Sequence, residues 1–483
     1  MIFCVFLLTV NVVNMNVLPL KYLYIYYGAM LFLIILMGSI VIFTKKKYWK
    51  FISLILNIII SAFCIILMIY VQKTNAFFDK ISKLTETSSY LLIVNKDSKY
   101  EKTDDVKGLK TGISITSIES LNFVDDLKEK YKLEVIEYDN ILTQTNDLFD
   151  NKIDVMIINS GVKEILAEQI EDLDNKIRVI DEIAVEIEVE DPNKKINVNK
   201  KNNQADGTSF NIYISGIDTF GRISNVSRSD VNIIVTVNRE TKKILITNIP
   251  RDCYVLLNGT NGPKDKLTHA GLYGINMSVA TLEDLLSIDI DYYARVNFSS
   301  FVKLINAVGG VTIDSEVGFC DENYCFKKGP NTLNGNRALA YVRIRHPFAD
   351  GDTTRAKHQE MLIKALIEKI TSSTTILTKY GEILDSLSDC LQTSMPEDVI
   401  KSIVKDQIDT MPSWTIELTA VEGKAAMLSR LYSFSGSEFY VDIPYLESVN
   451  AVHDSIMNFI DGNEEGLVKP TYPNEDGKGT QMK

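Results

Sequence analysis

The first 72 residues contain no Asp, Glu or Arg, and their only charges are Lys21, Lys45, Lys46, Lys47 and Lys50. Residues 22–44 and 51–72 are uncharged runs of 23 and 22 residues, each long enough to cross a hydrocarbon core as a helix. Residues 1–20 are uncharged too but are interrupted by Asn11, Asn14, Asn16 and Pro19; they are read as a third, weaker span. A basic n-region is missing, which argues against a cleaved signal peptide. Beyond residue 72 there is no basic excess: 46 Lys+Arg stand against 63 Asp+Glu, a net charge of about −17. So acidic a region is a poor general binder of DNA or of an anionic lipid surface, and any anion site in it must be local. Cysteine is sparse. Cys4 and Cys64 fall in the apolar runs, and Cys253, Cys320, Cys325 and Cys390 fall outside them. No P-loop, HExxH, GxSxG or Cys/His metal cluster occurs, so the chemistry those motifs carry is not signalled here.

The lysines that are present set the orientation. KKKYWK (residues 45–50) lies between the two strong spans, and positive loops stay in the cytoplasm. Everything from about residue 73 is then expected outside the cell, in a multi-pass membrane protein with extracellular domains. An oxidising exterior allows Cys320 and Cys325 of CDENYC to bridge, with two free thiols as the alternative. A chain of 483 residues is too long for one core. Residues 73–87 read as a tether, and 88–190 as a small α/β domain of alternating strands and helices, with 179–190 as an edge-type strand. That domain has a weak likeness to half of a periplasmic solute-binding protein, and a packing or spacer module is an equal reading. Residues 191–207, rich in Asn and Lys, form a linker. Residues 208–461 form a second α/β domain, and 462–483 a polar tail expected to be disordered.

In the second domain, charged residues gather where strands begin or end. Asp218 follows the strand FNIYISGI, Arg228 and Asp230 stand in SRSD, and Arg251 and Asp252 close ITNIPRD. Such positions face the crevice where ligands bind in open α/β sheets. Carboxylates suit Mg2+ together with phosphate oxygens, and the planar fork of Arg suits phosphate. A second cluster lies about 100 residues on, in YVRIRHPFADGDTTRAKHQE (residues 341–360). If the backbone is extended there, Arg343 and Arg345 point the same way. Asp352 is placed to cap the following helix. Arg355 and Gln359 share one helix face, which Leu362 and Leu366 continue inward, while Lys357 lies on the far side. A network of solvated ion pairs is the competing reading.

The ordered set GID, RSD, IPRD, KLTHA, LNGNRALAYVRIR, then Asp352, Arg355 and Gln359, resembles the LytR-CpsA-Psr (LCP) family of cell-envelope proteins. The likeness is clear from about residue 210 to 370. The three-span region, the extra domain and WTIELTAVEGKAAM resemble the capsule-associated CpsA branch. The resemblance implies an α/β LCP domain with a central mixed sheet flanked by helices. It implies a phosphotransferase-type ligase that moves a polyprenyl (undecaprenyl) pyrophosphate-linked glycan, here a capsular polysaccharide, onto a peptidoglycan acceptor with Mg2+. A pyrophosphate hydrolase and a non-enzymatic envelope regulator are the alternatives; capsule-assembly proteins are implied partners, and nucleic acid is not. Carried over by residue, Asp218 and Asp230 match the metal-binding aspartates. Arg228, Arg251, Arg343, Arg345 and Arg355 match the pyrophosphate-binding arginines, with Asp352 and Gln359 at the remaining polar positions. Asp218, Asp230, Arg251 and Arg345 would carry the catalysis, Asp218 being the candidate base. Thr268 stands where many members have Asn, and His358 where many have Arg. Lys266 and His269 are neighbours of the site, and His346 and His358 are expected at the surface or behind it.

Overall fold

The computed structural model describes residues 1–43, 45–81, 85–114, 121–188, 208–217, 223–321, 323–344, 351–371, 383, 386, 391–473 and 479–482. The apolar N-terminal region forms three helices, α1 (Ile2–Met15), α2 (Leu20–Phe43) and α3 (Lys47–Ile81). Two of them, α2 and α3, are long and apolar enough to cross a bilayer and suit a membrane anchor. Helix α1 has 14 residues, about 21 Å at 1.5 Å per residue, short of a hydrocarbon core of about 30 Å. It packs Val5 and Leu8 beside Cys64 of α3 instead. The expected tether is also largely helical. Phe77, Phe78 and Ile81 bury an apolar stripe against Leu391 and Ile400 of the second domain, so α3 runs on to Ile81 instead of ending near residue 72.

The first domain starts earlier than expected, with β1 (Thr85–Asn95). It continues through β2 (Lys110–Ser114), α4 (Leu121–Tyr131), β3 (Glu134–Tyr138), α5 (Ile141–Phe149), β4 (Val155–Asn159), α6 (Ser160–Gln169) and β5 (Ile177–Glu188). Its sheet runs β3-β2-β4-β1-β5, with β5 on the edge as its charge alternation predicts. Helix α5 escaped sequence reading. Its cap is Asn140, whose side-chain oxygen accepts from the amides of Leu142 and Thr143 at 2.7 and 3.3 Å, a standard first-turn device.

The second domain is built on β6 (Ser209–Ile217), β7 (Ser229–Asn238), β8 (Lys243–Ile249), β11 (Tyr292–Asn297), β16 (Leu391–Thr393) and β17 (Thr415–Ala420). They form a six-stranded mixed sheet in the order β16-β11-β6-β7-β8-β17. One face is covered by α8 (Ile275–Leu286) and α13 (Leu446–Asp461), through Val279, Leu282, Val452, Ile456 and Phe459. The other is covered by α11 (Gly351–Thr371) and α12 (Glu397–Thr410), through Ile363, Ile367, Val399 and Ile403. This is the expected mixed sheet between helices. Helix α9 (Phe298–Ala307) stops at Gly309 and Gly310, with φ of 82° and 85°, a conformation cheap only for glycine. A smaller layer joins β12 (Val311–Ser315) and β15 (Gly329–Leu333) to α10 (Gly335–Arg343) and, through Leu362 and Ala365, to α11. At its rim β13 (Phe319–Cys320) and β14 (Cys325–Phe326) form a hairpin closed by a Cys320–Cys325 disulfide.

The short strands β9 (Tyr254–Val255) and β10 (Asp265–Lys266) and the one-turn α7 (Leu267–Ala270) fold over one end of the sheet. Strands β18 (Gly423–Arg430) and β19 (Ser435–Pro444) form a hairpin whose Phe439 and Val441 pack against the first domain. The described residues of the tail, 462–473 and 479–482, do not behave as the polar, disordered segment expected. Leu467 and Met482 pack on the core, the amide of Leu446 bonds to Thr480 O at 2.8 Å, and Thr480 Oγ1 to Glu447 at 2.6 Å. Two apolar anchors decide the fate of a segment that composition alone calls polar.

Candidate functional site

The chain direction of each strand places the site. Strands β6, β8 and β11 end, and β7 begins, at one edge of the sheet. Asp230, the second residue of β7, is buried there at 4% exposure. Its Oδ1 accepts from Arg251 Nη1 at 2.9 Å and from Thr268 Oγ1 at 3.0 Å, and its backbone oxygen accepts from Arg355 Nη2 at 3.1 Å. Three segments far apart in sequence meet on one aspartate: the end of β8, helix α7 and the first turns of α11. Burial would raise the Asp230 carboxyl, but the guanidinium groups of Arg251, Arg228 and Arg355 hold it below the usual range, so it is ionised at neutral pH.

The neighbouring groups hold this arrangement. Asp252 is buried, takes Arg251 Nε at 3.3 Å and Lys266 Nζ at 2.9 Å, and is kept below the usual carboxyl range against its burial by those two cations. The amide of Thr268 bonds to Arg251 O at 2.8 Å, pinning KLTHA beside IPRD. His269 faces Asp265 at 2.7 Å, and Asp265 also accepts the amide of Ser433 at 2.8 Å. His269 therefore braces the lid over the sheet and does not face Asp230. Thr268, the departure from the usual Asn, supplies a hydroxyl to the same aspartate.

Arg251, Arg355 and Arg228 are thus gathered around Asp230. Gln359 is buried one turn beyond Arg355 on α11, and Lys357 is exposed, as the helical spacing predicts. Arg343 is the last residue of α10 and exposed, with Ile344 extended after it. The expected extended backbone begins one residue later than Arg343. Asp352 is the second residue of α11 and not its cap. Asp218, Arg345 and His346 lie outside the described residues, as does the side chain of Asp352. His358 is not at the surface. It is buried, stacks on Tyr341 at 4.1 Å and on Phe319 at 5.2 Å, and its Nδ1 lies 3.0 Å from Tyr341 O. Burial pushes its pKa down to about 4, so it is a neutral packing group.

Sequence reasoning missed the groups that come from the first domain. Glu86 in β1 is buried and accepts from Arg295 Nη1 at 2.8 Å and from the amide of Ile275 at 3.0 Å. Glu164 and Glu168 of α6 accept from Arg228 Nη2 and Nη1 at 3.0 and 2.8 Å. Partners 60 to 209 residues apart leave no local signal. Among the described residues no group of three or more His, Cys, Asp or Glu side chains is placed to hold a metal. The bonds of Arg251 and Thr268 both fall on Oδ1 of Asp230. An ionised aspartate with Oδ2 outside those bonds fits a hard cation only with further oxygens from a second carboxylate or a phosphate.

A mixed sheet between helices, with arginines gathered on an ionised carboxylate at one edge, defines a mixed α/β domain. The chain belongs to the LytR_cpsA_psr family, which it matches over residues 177–443. The match opens at the first residue of β5, so most of the first domain precedes it. The chain is similar to TagU of Enterococcus faecalis, named a polyisoprenyl-teichoic acid–peptidoglycan teichoic acid transferase, at 34% identity over 44% of this chain and 69% of that one. It is 31% identical to TagU of Bacillus subtilis over 51% of this chain and 76% of that one. Among solved structures it is similar to B. subtilis TagV, at 29% identity and a TM-score of 0.45, covering 53% of this chain and 98% of that one.

Proposed function

We propose that this protein transfers a glycan from a polyprenyl-pyrophosphate carrier to peptidoglycan outside the cell. The observation that carries the reading is the convergence of three arginines on one buried, ionised aspartate, in a chain whose relatives are named as polyisoprenyl-linked polymer transferases. The extra domain ahead of the matched region favours a capsular polysaccharide as the polymer. Two phosphates bring more negative charge than Asp230 can, and Arg251, Arg355 and Arg228, with Arg343 and Arg345, are assigned to offset it. Gln359 and Asp352 complete the polar wall.

In the proposed reaction a peptidoglycan hydroxyl attacks the glycan-side phosphorus. A new P–O bond forms, the bridging P–O–P bond breaks, polyprenyl phosphate leaves, and the hydroxyl proton passes to Asp218, the candidate base. The arginines stabilise the charge that grows on the leaving oxygen. Asp230 is too strongly held as a carboxylate to act as the base. Magnesium is the cation assigned to Asp230 and Asp218, and when bound it would neutralise phosphate charge. The anchor is read as multi-pass. Lys21 at the start of α2 lies 3.1 Å from Asp409 of the second domain, and α3 leaves toward that domain, which supports assigning Lys45 and Lys46 to the opposite, cytoplasmic end.

The test is a transfer assay with purified protein, a polyprenyl-pyrophosphate glycan and peptidoglycan. Glycan bound to peptidoglycan, dependent on Mg2+ and lost in Arg251→Ala, supports the reading. Glycan phosphate released to water indicates a hydrolase, and no turnover in any condition leaves a binding protein.

A further inference from the structure

We propose that Glu164 and Glu168 are positioning residues for Arg228, so that the first domain completes the substrate site of the second. The proposal rests on the reading of Arg228 as a phosphate ligand. The two glutamates stand four residues apart on α6, hence on one face of that helix. Each takes a different terminal nitrogen of Arg228, at 3.0 and 2.8 Å. Arg228 is only 12% exposed, while both glutamate side chains are 51% exposed. The guanidinium is therefore largely buried and held by a two-point grip whose own carboxylates stay in water.

The grip is useful only if both sides are fixed, and they are. The loop carrying Arg228 is sewn to the first domain: the amide of Thr87 bonds to Ser224 O at 2.7 Å, and that of Val226 to Thr87 O at 2.9 Å. From the other side, Gly271 presses against the loop so closely that a Cβ there would lie 2.5 Å from Ser227 O. Helix α6 is seated just as tightly, since a Cβ added at Gly161 would lie 2.7 Å from a methyl of Leu272. An arginine otherwise free to sample many rotamers is thus held beside Asp230 before any ligand arrives, which lowers the ordering cost of binding.

The experiment uses the full-length protein in detergent and the transfer assay above, reading KM for the lipid-linked donor and kcat separately. Glu164→Gln/Glu168→Gln should raise KM by about tenfold, the scale of one charge-assisted hydrogen bond, with kcat nearly unchanged. Glu164→Asp/Glu168→Asp should recover part of the loss. Arg228→Ala should raise KM at least as far, and adding the two Gln changes to it should cost nothing more, the non-additivity expected when one residue acts through another. If the Gln pair leaves KM unchanged while Arg228→Ala raises it, the positioning role is wrong and the phosphate role of Arg228 stands. If the Gln pair lowers KM, the carboxylates compete with the phosphate, which also overturns the proposal. If Arg228→Ala leaves KM unchanged, Arg228 is not a phosphate ligand and the underlying reading of that residue fails.

Discussion

Two buried carboxylates of this protein each meet an arginine, and the surroundings separate their roles. Glu86 faces one guanidinium, that of Arg295, which is 2% exposed, and its second bond is to a backbone amide. Arg295 spends its other terminal nitrogen on Asn225 O at 2.8 Å. Charge there is balanced one to one, and the pair fastens the first domain to the second. Asp230 is surrounded by Arg251, Arg228 and Arg355. Three guanidinium groups from distant segments converge on this one carboxylate, two of them also held by other carboxylates, Arg228 by Glu164 and Glu168 and Arg251 by Asp252. A lone partner marks the structural pair, and the convergence of several arginines on one carboxylate marks the candidate site.

The largest expected effect breaks the structural pair. Glu86→Ala leaves a buried arginine without its carboxylate, and such a loss costs about 3–5 kcal/mol. The expected outcome is a strongly lowered unfolding temperature for the folded domains, with Glu86→Gln intermediate; a variant as stable as the parent would show that the pair fastens nothing. On the other side, Asp230→Asn should leave the fold and donor binding in place and lower turnover by tenfold or more, with weakened Mg2+ dependence. Equal losses of binding and turnover would place Asp230 in the same category as Glu86.

A third carboxylate sharpens the contrast because, among the described residues, no ion pair is formed with it. Glu360 lies on α11 at 7% exposure, and its Oε1 meets no hydrogen-bond donor among the described residues. Burial raises its pKa from 4.5 to about 8, with Lys357 pulling only weakly the other way. The folded protein keeps this group protonated while the unfolded chain ionises it. Its contribution is intact below pH 4.5 and is lost as pH rises toward about 8, by linkage. Glu360→Gln should raise the unfolding temperature at pH 8 relative to pH 5, measured against the parent. His358 acts in the opposite direction, since its stability is lost as pH falls from 6.5 toward about 4. The smallest effect is expected at Lys357, which is exposed on the far side of α11. Lys357→Ala should change neither stability nor donor binding beyond error.

Strands β6, β7, β8, β11 and β17 of the second sheet were legible because their apolar patterning and charged ends are local, whereas the three-residue β16 gave no such signal. The same holds for Arg355 and Gln359, which a spacing of four puts on one face. Helix α5 was not legible, since its signal is a single capping Asn140 before a mixed polar stretch. The far end of α3 was taken for a tether because Lys73, Lys80 and Asp79 mask the stripe of Phe77, Phe78 and Ile81. The tail was misread because two apolar contacts outweigh its composition. Nothing local could have paired Arg228 with α6 or Glu86 with Arg295. Those pairs exist only once the two domains dock, and the docking surface is shared between Leu272 and Phe434 on one side and Val162 and Ile165 on the other.

The central claim is that the Asp230 cluster binds pyrophosphate, and a binding isotherm tests it most directly. Titrating a polyprenyl pyrophosphate into the parent, Arg251→Ala and Lys357→Ala should give equal affinities for the parent and Lys357→Ala. Arg251→Ala should be weaker by about tenfold or more, since a charge-assisted bond contributes roughly 1.5–3 kcal/mol, and Arg251→Lys should recover only part of it. If Arg251→Ala binds as tightly as the parent, the cluster is an ion-pair network like that of Glu86 and Arg295, and the site lies elsewhere.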